Sequence, residues 1–265
     1  MKQINSSHNE TYKHLKQLAT SAKHRRRNNQ TLLEGIHLCE SYLQHSGQPL
    51  MCVYTTAAVE NPEVAKILST CEELAVPSIL LSEGSFKPIS GVAASVGVLF
   101  VIAIPAQTTP LQLPGSALLL ENIQNPTNTG AILRTAAAAG IQHVFTSAGS
   151  ASAWSPKVLR AGMGAHFALQ IYEDCDLATL IQNANMQILA TSLEATQTIY
   201  QKDLAQDTTW IVGNEGNGVS DELLALYVKK VIIPQQPGVE SLNVAAATAV
   251  CLFEQARQVS LAVIA

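Results

Sequence analysis

The 265-residue sequence lacks any apolar run long enough to cross a bilayer. Its longest apolar stretch, Val92 to Ile104, is interrupted by Ser95 and Gly97 and falls short of the roughly 20 residues that a membrane helix needs. The first residues are polar, without the apolar segment of a secretory signal peptide. These absences favour a soluble cytoplasmic protein with no membrane partner. The apolar share, 47%, is enough for one large or two ordinary packed domains.

The sequence also lacks the spacings that mark disulfide or metal sites. Its five cysteines include no C-x-x-C pair, and its seven histidines show no metal-ligand spacing. This argues against a disulfide framework and against a zinc site, so we expect no metal. The cysteines are expected to be buried free thiols: Cys39, Cys52, Cys71, Cys175 and Cys251.

A general excess of positive charge, which would favour a nucleic-acid binder, is missing, since the net charge is −4. Its distribution is uneven. Residues 1–116 carry 9 Lys/Arg against 8 Asp/Glu, a net of +1, whereas residues 117–265 carry 7 against 12, a net of −5. Near the N-terminus lies a cluster of cations that we call the basic arm. It consists of Lys13, Lys16, Lys23, Arg25, Arg26 and Arg27.

A proline-rich segment divides the chain. Residues Ile104 to Gly115 contain three prolines, a glycine and two threonines, which is the composition of a linker. We therefore predict a small α/β domain at residues 1–105, a linker at 106–116 and a second α/β domain at 117–265.

Apolar spacing places the elements of the first part. Helical periodicity predicts one helix through Leu15, Leu18, Ala19 and Ala22, and another through Leu32, Leu33, Ile36 and Leu43. A further helix is predicted at 64–74, and strands at 51–54, 78–81 and 96–104.

The strands of the second part are apolar throughout rather than alternating, which is typical of a mostly parallel sheet covered on both faces. They are predicted at 117–120, 143–146, 187–191, 209–212 and 229–233. Helices are predicted at 129–139, 156–163, 177–184 and 221–226, with a long one after Ser241. This order outlines a nucleotide-binding α/β domain.

Three segments of the second part repeat one pattern, in which a buried strand leads through a polar or glycine-rich loop into a helix. They span residues 118–141, 210–224 and 231–254. In open α/β sheets, ligands bind beyond the carboxyl ends of such strands. The glycine spacing in the second segment, G-x-x-G-x-G, is neither the dinucleotide fingerprint nor a P-loop.

Each segment alone also has a purely structural interpretation. Arg134 could be a surface arginine whose stem covers apolar neighbours. The loop of residues 213–218, which we call the glycine loop, could be a turn capped by Ser220. Ser241 and Asn243 could simply cap a core helix.

Together the segments resemble the SpoU (TrmH) family of RNA methyltransferases. N-P-T-N-T-G-A-I-L-R-T-A (125–136), G-N-E-G-N-G (213–218) and I-P-x-x-x-G-V-E-S-L-N-V-A (233–245) are similar to its three motifs, in order. S-P-K-V-L-R-A-G-M-G-A-H-F (155–167) resembles the segment between the first two. The resemblance covers residues 117–256 and is specific because four segments agree.

The N-terminal part shows a looser resemblance. N-E-T-Y-K-H-L-K-Q-L (9–18), followed by R-R-R-N-N-Q-T-L-L-E-G-I-H-L (25–38), resembles the substrate-binding domain of many family members. That domain is similar to a ribosomal protein fold that grips structured RNA.

The resemblance implies a SPOUT fold with a deep trefoil knot and a homodimer that completes the active site across its interface. It implies transfer of a methyl group from S-adenosylmethionine to a ribose 2′-hydroxyl of RNA. The methyl donor would be held largely by backbone at Gly213, Ile233 and Leu242. The positions that match the family's catalytic residues are Asn128, Arg134, Glu215, Ser241 and Asn243.

The residue types qualify some of these roles. The family's arginine is usually assigned to activating the ribose hydroxyl, but a guanidinium stays protonated and is a poor base. We therefore hypothesise that Arg134 clamps the neighbouring phosphate and stabilises charge on the 2′-oxygen. The basic arm would contact other phosphates. Gln235 and Gly162 depart from the methionine and serine common in the family, yet neither change removes a proposed catalytic group.

The sequence alone leaves three alternative functions open. We prefer ribosomal RNA to transfer RNA as substrate because of the ribosomal-protein-like domain, which is an analogy. A non-catalytic RNA-binding SPOUT protein is a second possibility, against which the intact catalytic positions argue. An α/β enzyme acting on a small nucleotide is a third, against which the basic arm argues.

Overall fold

The computed structural model describes residues 2–4, 6–238 and 240–264. Met1, Asn5, Val239 and Ala265, which fall within the predicted domains, lie outside the described residues, and Val239 also belongs to the third motif. The chain divides into two compact units. The N-terminal unit comprises Met1–Ala106 and Trp154–Phe167, and the C-terminal unit comprises Gln107–Ala153 and Ala168–Ala265.

The N-terminal unit is built on a five-stranded mixed sheet with the order β1-β4-β3-β5-β2. β1, β4 and β3 are parallel, whereas β5 runs antiparallel to both β3 and β2. The strands are β1 Lys2–Ile4, β2 Gln30–Glu34, β3 Met51–Thr55, β4 Ser78–Leu81 and β5 Val98–Ala103. The helices of residues 1–106 are α1 Glu10–Thr20, α2 Ala22–Asn28, α3 Ile36–His45, α4 Pro62–Glu73 and α5 Glu83–Phe86.

One sequence-based prediction for this unit is wrong. Leu32 and Leu33 were predicted to continue a helix with Ile36, but they lie in strand β2, and the helix α3 begins only at Ile36. Pairing with β5 buries both leucines and so overrides their helical spacing. Gly35, at a φ of 104°, provides the break between strand and helix. Strand β1 was not predicted.

The segment Trp154–Phe167 packs within the N-terminal unit, although its sequence lies between two motifs of the second part. Thr31 Oγ1 donates a hydrogen bond of 2.7 Å to the Trp154 carbonyl. Arg160 lies 3.4 Å from the buried carboxylate of Glu34 and donates to the Gly91 carbonyl at 3.1 Å. These contacts fasten the segment to strand β2.

The helix of this segment, α7, spans Pro156–Gly162 and follows α6 of the C-terminal unit in chain order. Ser155 caps its first turn by accepting from the backbone N–H of Val158 at 3.3 Å, and Pro156 occupies the first helical position. Gly162, at the helix end, is buried.

The C-terminal unit is built on a six-stranded sheet with the order β11-β9-β10-β6-β7-β8, and every pairing in it is parallel. The strands are β6 Ala117–Leu120, β7 His143–Ser147, β8 Gln170–Cys175, β9 Gln187–Thr191, β10 Thr208–Val212 and β11 Lys229–Val231. The helices are α6 Pro126–Ala138, α8 Leu177–Gln182, α9 Asp221–Leu224 and α10 Val244–Ile264. The prediction of a mostly parallel sheet is confirmed.

A buried polar contact fixes the long helix α10 against the sheet. The indole N–H of Trp210, in the central strand β10, donates to Gln255 Oε1 at 2.8 Å, and Gln255 Nε2 donates to Ser116 Oγ at 3.1 Å. Both Trp210 and Gln255 are buried, so the hydrogen bonds satisfy groups that would otherwise be costly to desolvate. α10 also packs on α6. These hydrogen bonds hold the middle of α10 against the sheet.

Two further findings concern the sequence-based expectations. All five cysteines are buried and unpaired, as predicted. None of the helices within the described part of the chain combines the length and the apolar character that crossing a membrane requires.

Candidate active site

The three motif segments meet at one edge of the C-terminal sheet. Strands β6 and β10 are adjacent and parallel, with Leu120 paired to Val212, so their carboxyl ends lie side by side. The first motif follows β6, and the glycine loop follows β10. Their proximity follows from the parallel pairing, because the loops after neighbouring parallel strands emerge at the same edge.

Glu215 in the glycine loop joins the first two segments. Its carboxylate accepts hydrogen bonds from the backbone N–H groups of Gln124 at 3.3 Å and Asn125 at 3.1 Å, and from Asn128 Nδ2 at 3.1 Å. Asn125 also caps helix α6, because its side chain accepts from the N–H of Thr127 at 2.9 Å. The carboxylate thus receives the free N–H groups at the start of that helix.

Asn128 connects Glu215 to the third segment. Its Oδ1 accepts from Asn243 Nδ2 at 3.2 Å. Asn243 Oδ1 in turn accepts from the N–H groups of Ala245 at 2.9 Å and Ala246 at 3.3 Å, and so caps helix α10. The result is a continuous chain of hydrogen bonds from Glu215 through Asn128 to Asn243.

The surroundings of Glu215 hold it in its ionised form. Partial burial opposes ionisation, but the hydrogen bonds from Asn128 and from the backbone of Asn125 and Gln124 outweigh it and lower the pKa of the carboxyl group. A carboxylate with a lowered pKa does not serve as a proton donor near neutral pH. The geometry therefore favours a positioning role for Glu215.

The glycine loop is folded tightly back on itself. Asn214 and Gly218 form an isolated antiparallel bridge, and Asn214 Oδ1 accepts from the N–H groups of Gly216 at 2.9 Å and Asn217 at 3.2 Å. A Cβ on Gly213 would lie 2.1 Å from the Gly218 carbonyl carbon. Close approach of backbone to backbone within the loop therefore requires glycine at 213.

A cavity of about 460 Å³ lies against this loop. Its lining includes all three residues predicted to hold the methyl donor, Gly213, Ile233 and Leu242, together with Glu215 and Ser241 from the catalytic set. The volume falls within the usual range for cofactor sites. Asn128, Arg134 and Asn243 are not among the lining residues.

The lining is chemically suited to an adenosyl cofactor. Ile233 and Leu242 offer apolar surface, and Asp221 offers a carboxylate for a cationic or hydroxyl group. The other two carboxylates already have partners, because Glu194 is paired with Lys230 at 3.3 Å and Glu215 accepts from the first motif segment. The Oε1 atom of Gln235 is buried and accepts no hydrogen bond from the described part of the chain.

Arg134 stands apart from the hydrogen-bonded chain. Its side chain is exposed on helix α6, and within the described residues it makes no hydrogen bond or ion pair. Ser241 is also exposed, at the cavity lining. The structure therefore joins Asn128, Glu215 and Asn243 directly and leaves Arg134 available to a ligand.

The basic arm lies in the N-terminal unit, on α1 and α2. Lys13, Lys16, Lys23, Arg26 and Arg27 are exposed. Arg25 is different, because only 8% of its surface is accessible and its guanidinium donates to the Leu18 carbonyl at 2.8 Å. The prediction that Arg25 contacts phosphate is therefore wrong, since burial between two helices commits this side chain to the fold.

Sequence reasoning missed several residues that support the site. Asn214 Nδ2 donates to the Asn122 carbonyl at 2.9 Å and ties the glycine loop to the first motif. Glu121 accepts from the N–H of Ser220 at 2.8 Å and secures the far end of that loop. One sequence signal could have indicated these residues. It is the high density of amide side chains in E-N-I-Q-N and G-N-E-G-N-G.

The fold and the cavity define a general class. A parallel sheet with polar loops and a cofactor-sized cavity beyond its strand ends is typical of nucleotide-binding α/β enzymes. A model of the SpoU rRNA methylase family matches residues 115–253, and one of the MRM3-like substrate-binding domain matches residues 9–99. The chain belongs to the SpoU rRNA methylase family.

Relatives align along nearly the whole chain. An uncharacterized tRNA/rRNA methyltransferase of Synechocystis sp. is 36% identical over 260 residues, covering 96% of this chain and 93% of the relative. The 23S rRNA (guanosine(2553)-2′-O)-methyltransferase RlmP of Bacillus subtilis is 29% identical over 264 residues, covering 96% and 98%. An AdoMet-bound rRNA methyltransferase from Sinorhizobium meliloti matches with a TM-score of 0.82 at 25% identity, covering 97% of each chain. The predicted α/β fold with an N-terminal domain is confirmed, and the trefoil knot stays a prediction.

Proposed function

We propose that this protein methylates a ribose 2′-hydroxyl in ribosomal RNA with S-adenosylmethionine as methyl donor. The observation that carries the proposal is the hydrogen-bonded chain from Glu215 through Asn128 to Asn243, next to a cavity lined by Gly213, Ile233 and Leu242. Family membership and the names of the relatives support the reaction. The family's substrate-binding domain supports RNA as the substrate.

One set of residues binds the methyl donor, and a second set positions the ribose. S-adenosylmethionine supplies an electrophilic methyl group on its sulfonium. Gly213, Ile233 and Leu242 bind it, and Ser241 contacts the donor or the ribose at the cavity lining. Asn128 and Asn243 are positioning residues, since their side chains hold the loops together. Proximity and orientation of this kind account for much of the rate enhancement in group transfer.

Arg134 approaches the RNA from helix α6. Its exposed guanidinium, without a partner in the described chain, presents the planar fork that binds phosphate with two parallel hydrogen bonds. We assign it to the phosphate next to the target ribose. From there its positive charge also stabilises the negative charge on the 2′-oxygen, whose proton passes to solvent during methyl transfer.

The proposal includes a homodimer. Helix α10 packs on α6, yet it exposes Phe253 at 51% and Leu261 at 54% of their surfaces. Exposed large apolar side chains on one helix are typical of an interaction surface. A second copy is the occupant we propose, in keeping with the family, and we propose the cytoplasm as the location of the protein.

Mapping of ribose methylation tests the reaction and the substrate together. Total RNA from cells with and without the gene would be digested and its 2′-O-methyl groups located by mass spectrometry. We expect one ribosomal RNA mark to disappear and to return when the gene is restored. Loss of a transfer RNA mark instead would overturn the substrate, and no lost mark together with no donor binding would favour a non-catalytic RNA-binding protein.

The exposed cations of the basic arm are expected to contribute salt-dependent RNA affinity. Replacing Lys16, Lys23 and Arg27 with glutamine should reduce the slope of log affinity against log salt by roughly two, since each lost phosphate contact removes about 0.7 to 0.9 from it. Filter retention of ribosomal RNA at several salt concentrations measures the slope. The matched control replaces Lys66 and Lys87, exposed lysines outside the arm, and an equal effect there would contradict a specific role.

A further inference from the structure

Two histidines beside the basic arm form a hydrogen-bonded chain with Gln30. His14 lies on α1, His24 lies on α2, and Gln30 begins strand β2. His14 Nε2 lies 2.8 Å from Gln30 Oε1, and His14 Nδ1 lies 2.9 Å from His24 Nε2. The two imidazole rings meet edge to face, with their centroids 5.0 Å apart. Two titratable rings are thus held in contact on a surface rich in cations.

The hydrogen bonds fix where the ring protons lie. A carbonyl oxygen only accepts, so His14 Nε2 carries a proton and His14 Nδ1 carries a lone pair, which accepts from the N–H at His24 Nε2. His24 Nδ1 is then the remaining nitrogen with a lone pair, and it has no hydrogen bond within the described chain. The pair can therefore take up one proton at His24 Nδ1 without losing a hydrogen bond. A proton on His14 Nδ1 would instead set two N–H groups against each other.

The surroundings of His24 oppose that proton in the free protein. Desolvation lowers the pKa of His24, and the neighbouring His14 and the positive charge of Arg27 lower it further. The ring is therefore uncharged near neutral pH. A negative charge brought close to it would reverse the balance, because an opposite charge favours the protonated form of an imidazole.

The elements around the two histidines offer no free carboxylate to supply that charge. α1, α2 and β2 carry all the cations of the basic arm and only two acidic residues. Glu10 is paired with Lys13 at 2.7 Å, and the buried Glu34 carboxylate accepts from Ser95 Oγ at 2.8 Å. The negative charge must therefore come from a ligand, and the exposed cations of the arm suit a phosphate.

We propose that His24 is a phosphate-binding residue beside the basic arm that takes up one proton, at Nδ1, when RNA binds. The proton comes from solvent. It makes the ring a donor at both nitrogens, so that Nε2–H stays on His14 while Nδ1–H faces a phosphate held by the exposed neighbours Lys23 and Arg27. RNA affinity then depends on pH through this one ring. The inference rests on the proposed function, because it takes RNA as the ligand.

The variant His24→Gln tests the inference, because it removes the titrating ring and keeps an N–H donor for His14. Fluorescence anisotropy with a fluorescein-labelled RNA hairpin measures affinity at about pH 6 and about pH 8, on either side of the ordinary histidine pKa. Acidification should strengthen binding by roughly three- to tenfold more in the unaltered protein than in the variant, the contribution of one charge-assisted contact. At the higher pH the two proteins should bind equally. The matched control is His45→Gln, an exposed histidine at the end of α3 and outside the arm, which should keep the full pH dependence.

A proton count on the unaltered protein adds a test that does not depend on the variant. Calorimetric titration with the same hairpin, in buffers of different ionisation enthalpy, measures the protons taken up on binding near neutral pH. We expect net uptake in the unaltered protein and less uptake in His24→Gln. Binding without any uptake in the unaltered protein would overturn the inference, even if the variant failed to fold.

The remaining outcomes separate the inference from the proposed function. Equal pH dependence in the unaltered protein and His24→Gln would overturn the inference alone. A loss of affinity by the same factor at both pH values would also overturn it, because the side chain would then act without a proton. Absence of RNA binding by the unaltered protein at both pH values and at low salt would contradict the proposed function, since phosphate contacts are independent of sequence.

Discussion

Replacing Arg134 with alanine is expected to lower the turnover of methyl transfer by about 10²–10³-fold, the loss typical of removing one group that stabilises developing charge. Binding of S-adenosylhomocysteine should not change, because Arg134 is absent from the cavity lining. The free energy of unfolding should change little, because the side chain is exposed and makes no hydrogen bond within the described residues. Single-turnover methylation of ribosomal RNA, together with calorimetric titration, measures the first two quantities.

The lysine variant separates the two roles considered for Arg134. Arg134→Lys keeps the positive charge but loses the fork, so turnover should still fall by about tenfold, which corresponds to one charge-assisted hydrogen bond. Near-wild-type turnover in this variant would rule out a bidentate phosphate clamp. A general-base role is disfavoured from the start, because an arginine guanidinium carries five N–H donors and no acceptor atom.

The parts of the fold that could be predicted are those where burial alone decides the structure. Strands β6 and β9 were predicted to the residue, because each is a short run of buried residues bounded by polar or turn-forming ones. Strand β8 escaped prediction because Glu173 and Asp174 interrupt its apolar pattern. Asp174 has a φ of 55°, and the pairing of β8 with β7 shifts register at this point. Such an irregularity depends on the neighbouring strand and leaves no periodic signal.

The candidate site, too, could be predicted from the sequence only in part. Residue types and the family resemblance selected Asn128, Glu215 and Asn243, which are far apart in sequence. Only the fold shows that the carboxylate, the amide and the helix cap form one chain of hydrogen bonds. For Arg25 the sequence-based prediction is wrong, because the charge pattern grouped this residue with the exposed cations although it is buried. Its hydrogen bond to the Leu18 carbonyl depends on how two short helices pack, and charge pattern carries no information about that.

Gly213 carries the second large prediction, which concerns the shape of the cofactor loop. Replacing Gly213 with alanine places a Cβ 2.1 Å from the Gly218 carbonyl carbon and 2.1 Å from the Val219 nitrogen. Both are backbone atoms, so the loop itself must move. We expect the free energy of unfolding to fall by about 1–3 kcal/mol, as for other overpacked sites. We also expect affinity for S-adenosylhomocysteine to fall by about tenfold or more, since displacements near 1 Å disrupt binding geometry.

Gly216 in the same loop offers the matched comparison for stability. A Cβ there would lie 3.5 Å from Asn214 Oδ1, an ordinary van der Waals contact, and its backbone φ is not positive. Gly216→Ala should therefore change the free energy of unfolding by less than about 1 kcal/mol, and the sign can even be stabilising. Urea unfolding of both variants measures the difference. Equal stability of Gly213→Ala and Gly216→Ala would mean that the loop relaxes freely, and the tight return of the backbone at Gly213 would then not explain why glycine stands there.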